Sequence, residues 1–232
     1  MDRRTFLQAS ALGAFGADLG LASSAGAKTQ TSVTYRLPAA QERRIAWTVD
    51  DGADEATVSG YLNLLKDNPQ LKLTFFVTSA FQTWKRHANT INDLIDAGQV
   101  ELGNHTHTHQ DLTRVSRAKA RQELATCKRF LQDHFDVSGA PFYRPPYGYF
   151  NSDVREIAAD LGYTNTVMWF GTLADSGVNT QRGLLRNAKR WMNDRAILIS
   201  HANHPQVLDD FEQILQLLDN RNLQTVTLSE AL

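Results

Sequence analysis

The chain has 232 residues, 42% hydrophobic and 21% charged, with a formal net charge of −1. That composition supports a single globular domain with a sizeable core and excludes a disordered or low-complexity chain, while the balanced charge leaves no electrostatic footprint for nucleic acid or an anionic membrane. The one cysteine, Cys127, excludes an internal disulfide and any zinc finger built on cysteine pairs.

Residues 1–27 are a different kind of sequence. Met1-Asp-Arg-Arg-Thr-Phe-Leu7 sets two arginines before an apolar pair, Ala9 to Ala22 is weakly apolar, and Ala25-Gly-Ala27 has the small residues that a signal peptidase needs. The stretch resembles a twin-arginine export signal of bacteria. Glycines between Ala11 and Gly26 disfavour a core helix, and Asp18 within a short apolar run disfavours a membrane anchor. The expectation is a mature chain from about Lys28, periplasmic or secreted, monomeric and without membrane insertion. Residues 28–43 are polar and aperiodic, an extended leader to a folded domain over 44–232.

The regular pattern starts with Ile45-Ala-Trp-Thr-Val49, a buried strand that runs into Asp50-Asp51-Gly52. Ala56 to Lys66 has helical spacing, Leu71 to Val77 is rich in β-formers, and a helix over Ala88 to Ala97 leads through Gly98 to a strand at Val100. Arg117 to Phe135 is an amphipathic helix with Cys127 on its apolar stripe, which predicts a small core residue rather than a reactive thiol. Pro141 to Tyr143 is a short strand before Arg144-Pro-Pro-Tyr-Gly148, whose prolines forbid a helix. Helices at Val154 to Leu161, Arg182 to Asn193 and Val207 to Leu218 alternate with strands at Asn165 to Phe170, Ala196 to Ser200 and Gln224 to Leu228. Seven strands alternating with helices imply a mostly parallel sheet, closed into a barrel or left open.

Chemically capable residues recur at the C-terminal ends of these strands. Asp50 and Asp51 follow the first, His105 and His109 the third, Arg144 the fourth and His201 the sixth. In parallel α/β architectures, that edge is where sites are assembled from several loops. In His105-Thr-His-Thr-His109, a continuing strand would align all three histidines, whereas a helix would align only His105 and His109. Either geometry offers neutral imidazoles to a zinc-like metal, and a catalytic metal commonly takes a third protein ligand. Adjacent aspartates point apart on a strand, but an Asp-Gly end can turn and bring both to one site. One could then complete a His-His-Asp set while the other acts as a base held by an arginine.

Thr48-Val-Asp-Asp-Gly52, His105-Thr-His-Thr-His109, Arg144-Pro-Pro-Tyr147 and Leu198-Ile-Ser-His201 resemble, in order and spacing, four motifs of the polysaccharide deacetylases, carbohydrate esterase family four. Trp169 to Asp175 resembles the remaining motif, with Thr172 and Ser176 where an acid and a tryptophan are usual. The resemblance implies an α/β fold of one domain, an irregular (β/α)7 barrel similar to a TIM barrel. It implies Asp51, His105 and His109 as ligands of a divalent metal, usually zinc, which selects the helical form of the histidine stretch and leaves His107 out. Asp50 is then the general base oriented by Arg144, His201 the general acid with Asp175 as its charge partner, and the Tyr147 N–H part of an oxyanion hole. Leu198, Trp169 and Pro146 line the substrate pocket. The expected partner is an acetylated glycan, and the expected reaction is N-deacetylation of N-acetylglucosamine-containing polymers such as peptidoglycan or chitin-type oligomers. An O-acetyl esterase on xylan-like polymers and a catalytically silent glycan-binding module are the alternatives. His107 and His204 are expected beside the site or on the surface.

Overall fold

The computed structural model describes residues 31–232. The export signal expected at 1–27 lies outside the described residues. Among the described residues nine strands are formed: β1 (Ser32–Thr34), β2 (Arg44–Asp51), β3 (Leu73–Val77), β4 (Val100–Asn104), β5 (Phe142–Tyr143), β6 (Asn165–Val167), β7 (Gly171–Thr172), β8 (Ile197–His201) and β9 (Gln224–Thr225). The helices are α1 (Glu55–Asp67), α2 (Thr83–Arg86), α3 (Ala88–Asp96), α4 (Arg117–Phe135), α5 (Ser152–Asp160), α6 (Gln181–Trp191), α7 (Phe211–Asn220) and α8 (Leu228–Ala231). The strands run in parallel in the order β1-β6-β5-β4-β3-β2-β8-β7, with β9 added to the start of β2. The curled sheet with its outer helices is an irregular (β/α)7 barrel, and no helix among the described residues is long and apolar enough to cross a membrane.

Strand alternation sorts the core into two parts. Trp47, Val49, Phe75, Leu102 and Leu198 face outward to the helices, where Cys127 and Leu131 of α4 also lie. Ala46, Phe76, Phe142, Val167 and Ile197 fill the barrel interior. Each large apolar side chain so buried contributes about 1.5–3 kcal/mol, which is why the long apolar strands β2 and β3 form the centre of the sheet. Polar caps set the helix starts above them: Asp54 accepts from Thr57 N–H, Ser116 from Lys119 N–H, Asn151 from Val154 N–H and Thr180 from Gly183 N–H.

Four segments differ from the sequence expectation. Residues of the leader are built into the barrel: β1 pairs with β6, Leu37 is buried, and Arg36 bridges to Ala196 beside β8. The run 165–172 changes neighbours midway, from β1 and β5 to β8, so it forms β6 and β7 rather than one strand. Gly171 permits the shift, because a Cβ there would lie 2.6 Å from Trp191. The helix expected from Val207 begins as a 3-10 turn over Pro205–Asp210, and only Phe211–Asn220 is α-helical. The last strand stops at Thr225, because Thr227 and Glu230 form a capping box that starts α8.

Candidate active site

The ends of β2, β4 and β8 and the turn after β5 converge at the C-terminal mouth of the barrel. A cavity of about 1110 Å³ opens at the other end, around Arg44, Leu71 and Thr225, away from these residues. Asp50 ends the inward-facing row of β2. Arg144 Nη1 donates to Asp50 Oδ1 at 2.6 Å and to Thr48 Oγ1 at 2.8 Å, while its Nε and Nη2 donate to the carbonyls of Val167 and Met168 at 3.1 and 3.2 Å. The guanidinium also lies 4.2 Å from the centre of the Phe76 ring. Such fixed, multiple contacts are what make a buried carboxylate–arginine pair tolerable. Oδ2 of Asp50 remains free of Arg144 and lies 3.6 Å from His105 Nε2.

Asp51 leaves the strand with φ +75° and Gly52 follows with φ +95°. That turn brings both aspartates to one site, and it needs glycine at 52, where a Cβ would meet the Trp84 indole at 2.3 Å. Trp84 Nε1 donates to Asp51 O at 2.8 Å, fixing the turn from outside. Asp51 Oδ2 accepts from Asn203 Nδ2 at 2.6 Å, whereas Oδ1 is buried without a hydrogen-bond partner among the described residues.

That orphaned oxygen faces two imidazoles. Asp51 Oδ1 is 3.4 Å from His105 Nε2 and 3.3 Å from His109 Nε2. Two ligand atoms about 2.0–2.1 Å from one zinc ion at the tetrahedral angle stand roughly 3.4 Å apart, so the three residues fit a divalent ion. His105 Nδ1 donates to Arg144 O at 2.7 Å, which leaves the Nε2 lone pair directed at the cluster. Burial alone would raise the Asp51 pKa, but His105 and His109 hold it well below the usual carboxylate range. Burial and the neighbouring His105 push the His109 pKa down, favouring the neutral ring that coordinates. Burial also opposes charge on His105, but Asp50 and Asp51 outweigh it and raise its pKa. Carboxylates that favour a proton there would equally favour a cation in its place.

The backbone from His105 to His109 is neither strand nor helix, which corrects the helical expectation. Thr106 and His109 take left-handed angles, φ +73° and +59°, and the loop folds back so that the His105 and His109 rings lie 4.9 Å apart. Side chains add to the backbone bonds that Ser79 and Ala80 make to the Thr106 and His107 carbonyls: Thr106 N–H donates to Asn104 Oδ1 at 2.8 Å and His109 N–H to Thr106 Oγ1 at 3.1 Å. Thr108 donates through N–H and Oγ1 to the two carboxylate oxygens of Glu123 at 2.7 and 2.9 Å. His107 points away, its Nδ1 3.0 Å from Ser79 Oγ, and takes no part in the cluster. His204 is half-buried and immediately precedes the 3-10 turn Pro205–Asp210.

Across the mouth, His201 Nδ1 donates to Asp175 Oδ1 at 2.9 Å and the His201 backbone N–H donates to Asp175 Oδ2 at 3.1 Å. Burial would lower the His201 pKa, but Asp175 above all, and then Asp50 and Asp51, raise it. Thr172, at the position where an acid was expected, instead accepts the Ala174 N–H at 2.8 Å, and Ser176 is exposed.

The turn Pro146–Gly148 stands beside the cluster, with Tyr147 at φ +60° and its ring 4.6 Å from that of His109. Gly148 N–H and Tyr149 N–H are used within the turn, donating to Pro145 O and Pro146 O. Trp169 packs over this turn, so Trp169, Tyr147 and the buried Pro146 form one side of the mouth. Leu198 does not join them. In the register of β8 with β2, Leu198 pairs with Trp47 and faces the helices, whereas Ile199 pairs with Thr48 and shares the interior face with His201. Strand parity therefore puts Ile199, and not Leu198, on the face that leads to the mouth.

Two contributors were missed from the sequence. Asn203 sits in a loop with no periodicity to mark it. Glu123 had a signal, a carboxylate on the buried stripe of α4 between Ala120 and Cys127, where an apolar residue is the rule. Cys127 is a core residue as expected, with burial pushing its thiol pKa up to about 12.

Residues 38–166, more than half of the chain, match the family described as polysaccharide deacetylase. A peptidoglycan-N-acetylglucosamine deacetylase of Bacillus cereus is 30% identical over 86% of this chain and 92% of its own length. A peptidoglycan-N-acetylmuramic acid deacetylase of Bacillus subtilis is 29% identical over 72% of this chain and 60% of its own length. The chain thus spans nearly all of one curated relative and less than two thirds of the other. Among solved structures, a family four pseudoenzyme of Bacillus anthracis superposes with a TM-score of 0.75 at 21% identity, covering 87% of this chain and 69% of that one.

Proposed function

Since the chain belongs to the polysaccharide deacetylase family of hydrolases, we propose that it removes N-acetyl groups from N-acetylglucosamine-containing glycans, peptidoglycan or chitin-type oligomers. Asp51, His105 and His109 would hold a divalent ion, and their oxygen and imidazole donors suit zinc. A bound ion would supply Lewis acidity toward water and toward the acetyl carbonyl. The observation that carries the reading is the pair of charge-partnered proton groups flanking those three residues, Asp50 with Arg144 on one side and His201 with Asp175 on the other.

Amide hydrolysis needs a base for water and an acid for the leaving nitrogen. Asp50 Oδ2 accepts the proton of the attacking water while Arg144 holds Oδ1 and fixes the carboxylate plane. As the carbonyl carbon becomes tetrahedral, the Tyr147 N–H donates to the developing oxyanion. An amine leaves poorly unless protonated, and His201 Nε2, the ring nitrogen not bonded to Asp175, delivers that proton. Asp175 keeps the ring protonated and aimed. A silent binding module would need neither group, and both are present with their partners. Delivery by the twin-arginine signal would place the enzyme beside the cell wall; fractionation of cells producing the full chain, with both arginines replaced by lysine as the control, tests that.

Acetate release from chitooligosaccharides, peptidoglycan and acetylxylan, with chelator and with zinc restored, tests the activity. Release from the N-acetylated substrates that stops on metal removal and returns with zinc is expected. Release that survives complete metal removal, or is confined to acetylxylan, would overturn the proposal.

A further inference from the structure

The loop after β8 does more than present His201, because its next two residues clasp the turn that carries both aspartates. Ala202 N–H donates to Asp50 O at 2.9 Å and Ala202 O accepts from Asp54 N–H at 3.0 Å. Asn203 then reaches back over the same turn, its Oδ1 accepting from Ala53 N–H at 3.4 Å and its Nδ2 donating to Asp51 Oδ2 at 2.6 Å. Each end of the amide has its own partner, so the amide cannot rotate without losing both. The two oxygens of Asp51 are thereby made unequal: Oδ2 is engaged by Asn203, and Oδ1 is buried, unpaired and turned toward His105 and His109.

We infer that Asn203 is a positioning residue that sets how Asp51 binds the ion, by occupying Oδ2 so that Oδ1 alone serves as the ligand oxygen. This rests on reading Asp51, His105 and His109 as a metal site. The chemical consequence is specific. A carboxylate can bind an ion through one oxygen or two, and a catalytic centre needs a coordination position left for water or substrate. Hydrogen bonds to a ligating side chain decide its orientation and basicity, and their loss weakens metal binding. Asn203 is only half-buried, whereas Asp51 is buried, so removing the amide deprives Asp51 of a partner without hollowing the core. The same residue also ties the acid to the metal side, since His201 lies two positions before it.

Cobalt(II) is a suitable probe, because its visible absorption reports coordination while binding is titrated. The full chain would be compared with Asn203→Ala and with Asn203→Leu, which keeps the side-chain volume and removes the hydrogen bonds. Melting of the metal-free proteins checks that each is folded. Binding weaker by on the order of 10–100-fold in both variants, with the visible band changed in position or intensity, is the expected result. A residue with a merely structural role would lower the melting temperature and leave the band where it is. Variants that bind cobalt as tightly as the parent with superimposable spectra would overturn the inference while leaving the metal site standing. A parent chain that binds no cobalt would instead remove the metal-site reading, and this inference with it.

Discussion

The two sides of the mouth proposed to handle protons differ in how deeply their cationic partners are set. Asp50 is 1% exposed and its partner Arg144 0%, and that arginine is tied to Thr48 of β2 and to the carbonyls of Val167 and Met168. Facing them, His201 stands half-buried at the end of β8, and its partner Asp175 comes from a stretch that soon reaches Val178, 79% exposed. Both carboxylates are buried, Asp175 being 3% exposed, and the two sides differ in the partner: Arg144 is locked in the core, whereas the His201 ring reaches the solvent of the mouth. Substitution on the base side should disturb folding strongly together with catalysis, whereas substitution on the acid side should disturb catalysis as much and folding less.

The hardest blow to that contrast is Asp50→Ala. Loss of the general base removes ~10²–10⁴-fold of rate, and leaving Arg144 buried without its partner costs about 3–5 kcal/mol, roughly 6–20 °C in melting temperature for a domain of this size. A variant that melts with the parent would show that the pair is not part of what holds the barrel together. On the other side, His201→Ala should lose ~10²–10⁴-fold on an N-acetylated oligosaccharide and, by taking one hydrogen-bond partner from the buried Asp175, cost about 1–3 kcal/mol, less than the base-side change. An aryl acetate, whose phenolic leaving group needs no proton, should retain most of its turnover. Equal losses on amide and ester would remove His201 from the acid role.

A milder change sharpens the acid side further. The His201 pKa is raised above the ordinary value of about 6.5, mainly by Asp175 against the effect of burial. As an acid, His201 works while protonated, so activity declines as pH rises through that raised value. Asp175→Asn should move the alkaline limb of the pH–rate profile toward lower pH and leave the acidic limb in place. The accompanying stabilisation is fully present below the unfolded-state pKa and lost as pH rises through the folded one, so the stability difference between parent and variant should shrink in alkali. An alkaline limb that stays put would assign it to another group.

How much of this was legible follows the same division. The central strands and the helices over them announce themselves by apolar runs and by period, because burial dictates both. The strand ends carry the chemistry in readable order, from Asp50 to His201. What could not be read is backbone that leaves the regular regions. Thr106 and His109 adopt left-handed angles with no glycine to signal them, so the histidine stretch offered strand or helix and is neither. Leu198 stands three positions before His201 in β8, so alternation puts it on the opposite face, which the spacing alone already shows. Asn203 acts across about 150 residues of chain, a separation at which sequence spacing says nothing. The capping box at Thr227 and Glu230 was there to be read, and it marks where the last strand gives way to a helix.

The smallest expected effect tests whether the metal side belongs with the core, as the base does. Glu123 is buried in α4, and Thr108 lies on it through two hydrogen bonds, with Lys119 2.9 Å away on the helix surface. Burial would raise the Glu123 pKa, but Lys119 and the two Thr108 donors lower it. Its contribution to stability is therefore present above its unfolded-state pKa and lost as pH falls through the folded one. Glu123→Gln keeps the shape and one good acceptor, so it should cost about 1 kcal/mol and weaken zinc binding by a few-fold, with kcat unchanged once zinc is saturating. Removing the acceptor altogether in Glu123→Ala should strand a backbone N–H and cost about 1–3 kcal/mol. The ratio of the two zinc affinities then measures how firmly α4 holds the histidine loop. If both variants bind zinc as the parent does, the loop is held by its bonds to Asn104, Thr106 and the backbone of Ser79 and Ala80, and the proposed metal ligands are less dependent on α4 than the proposed base is on Arg144.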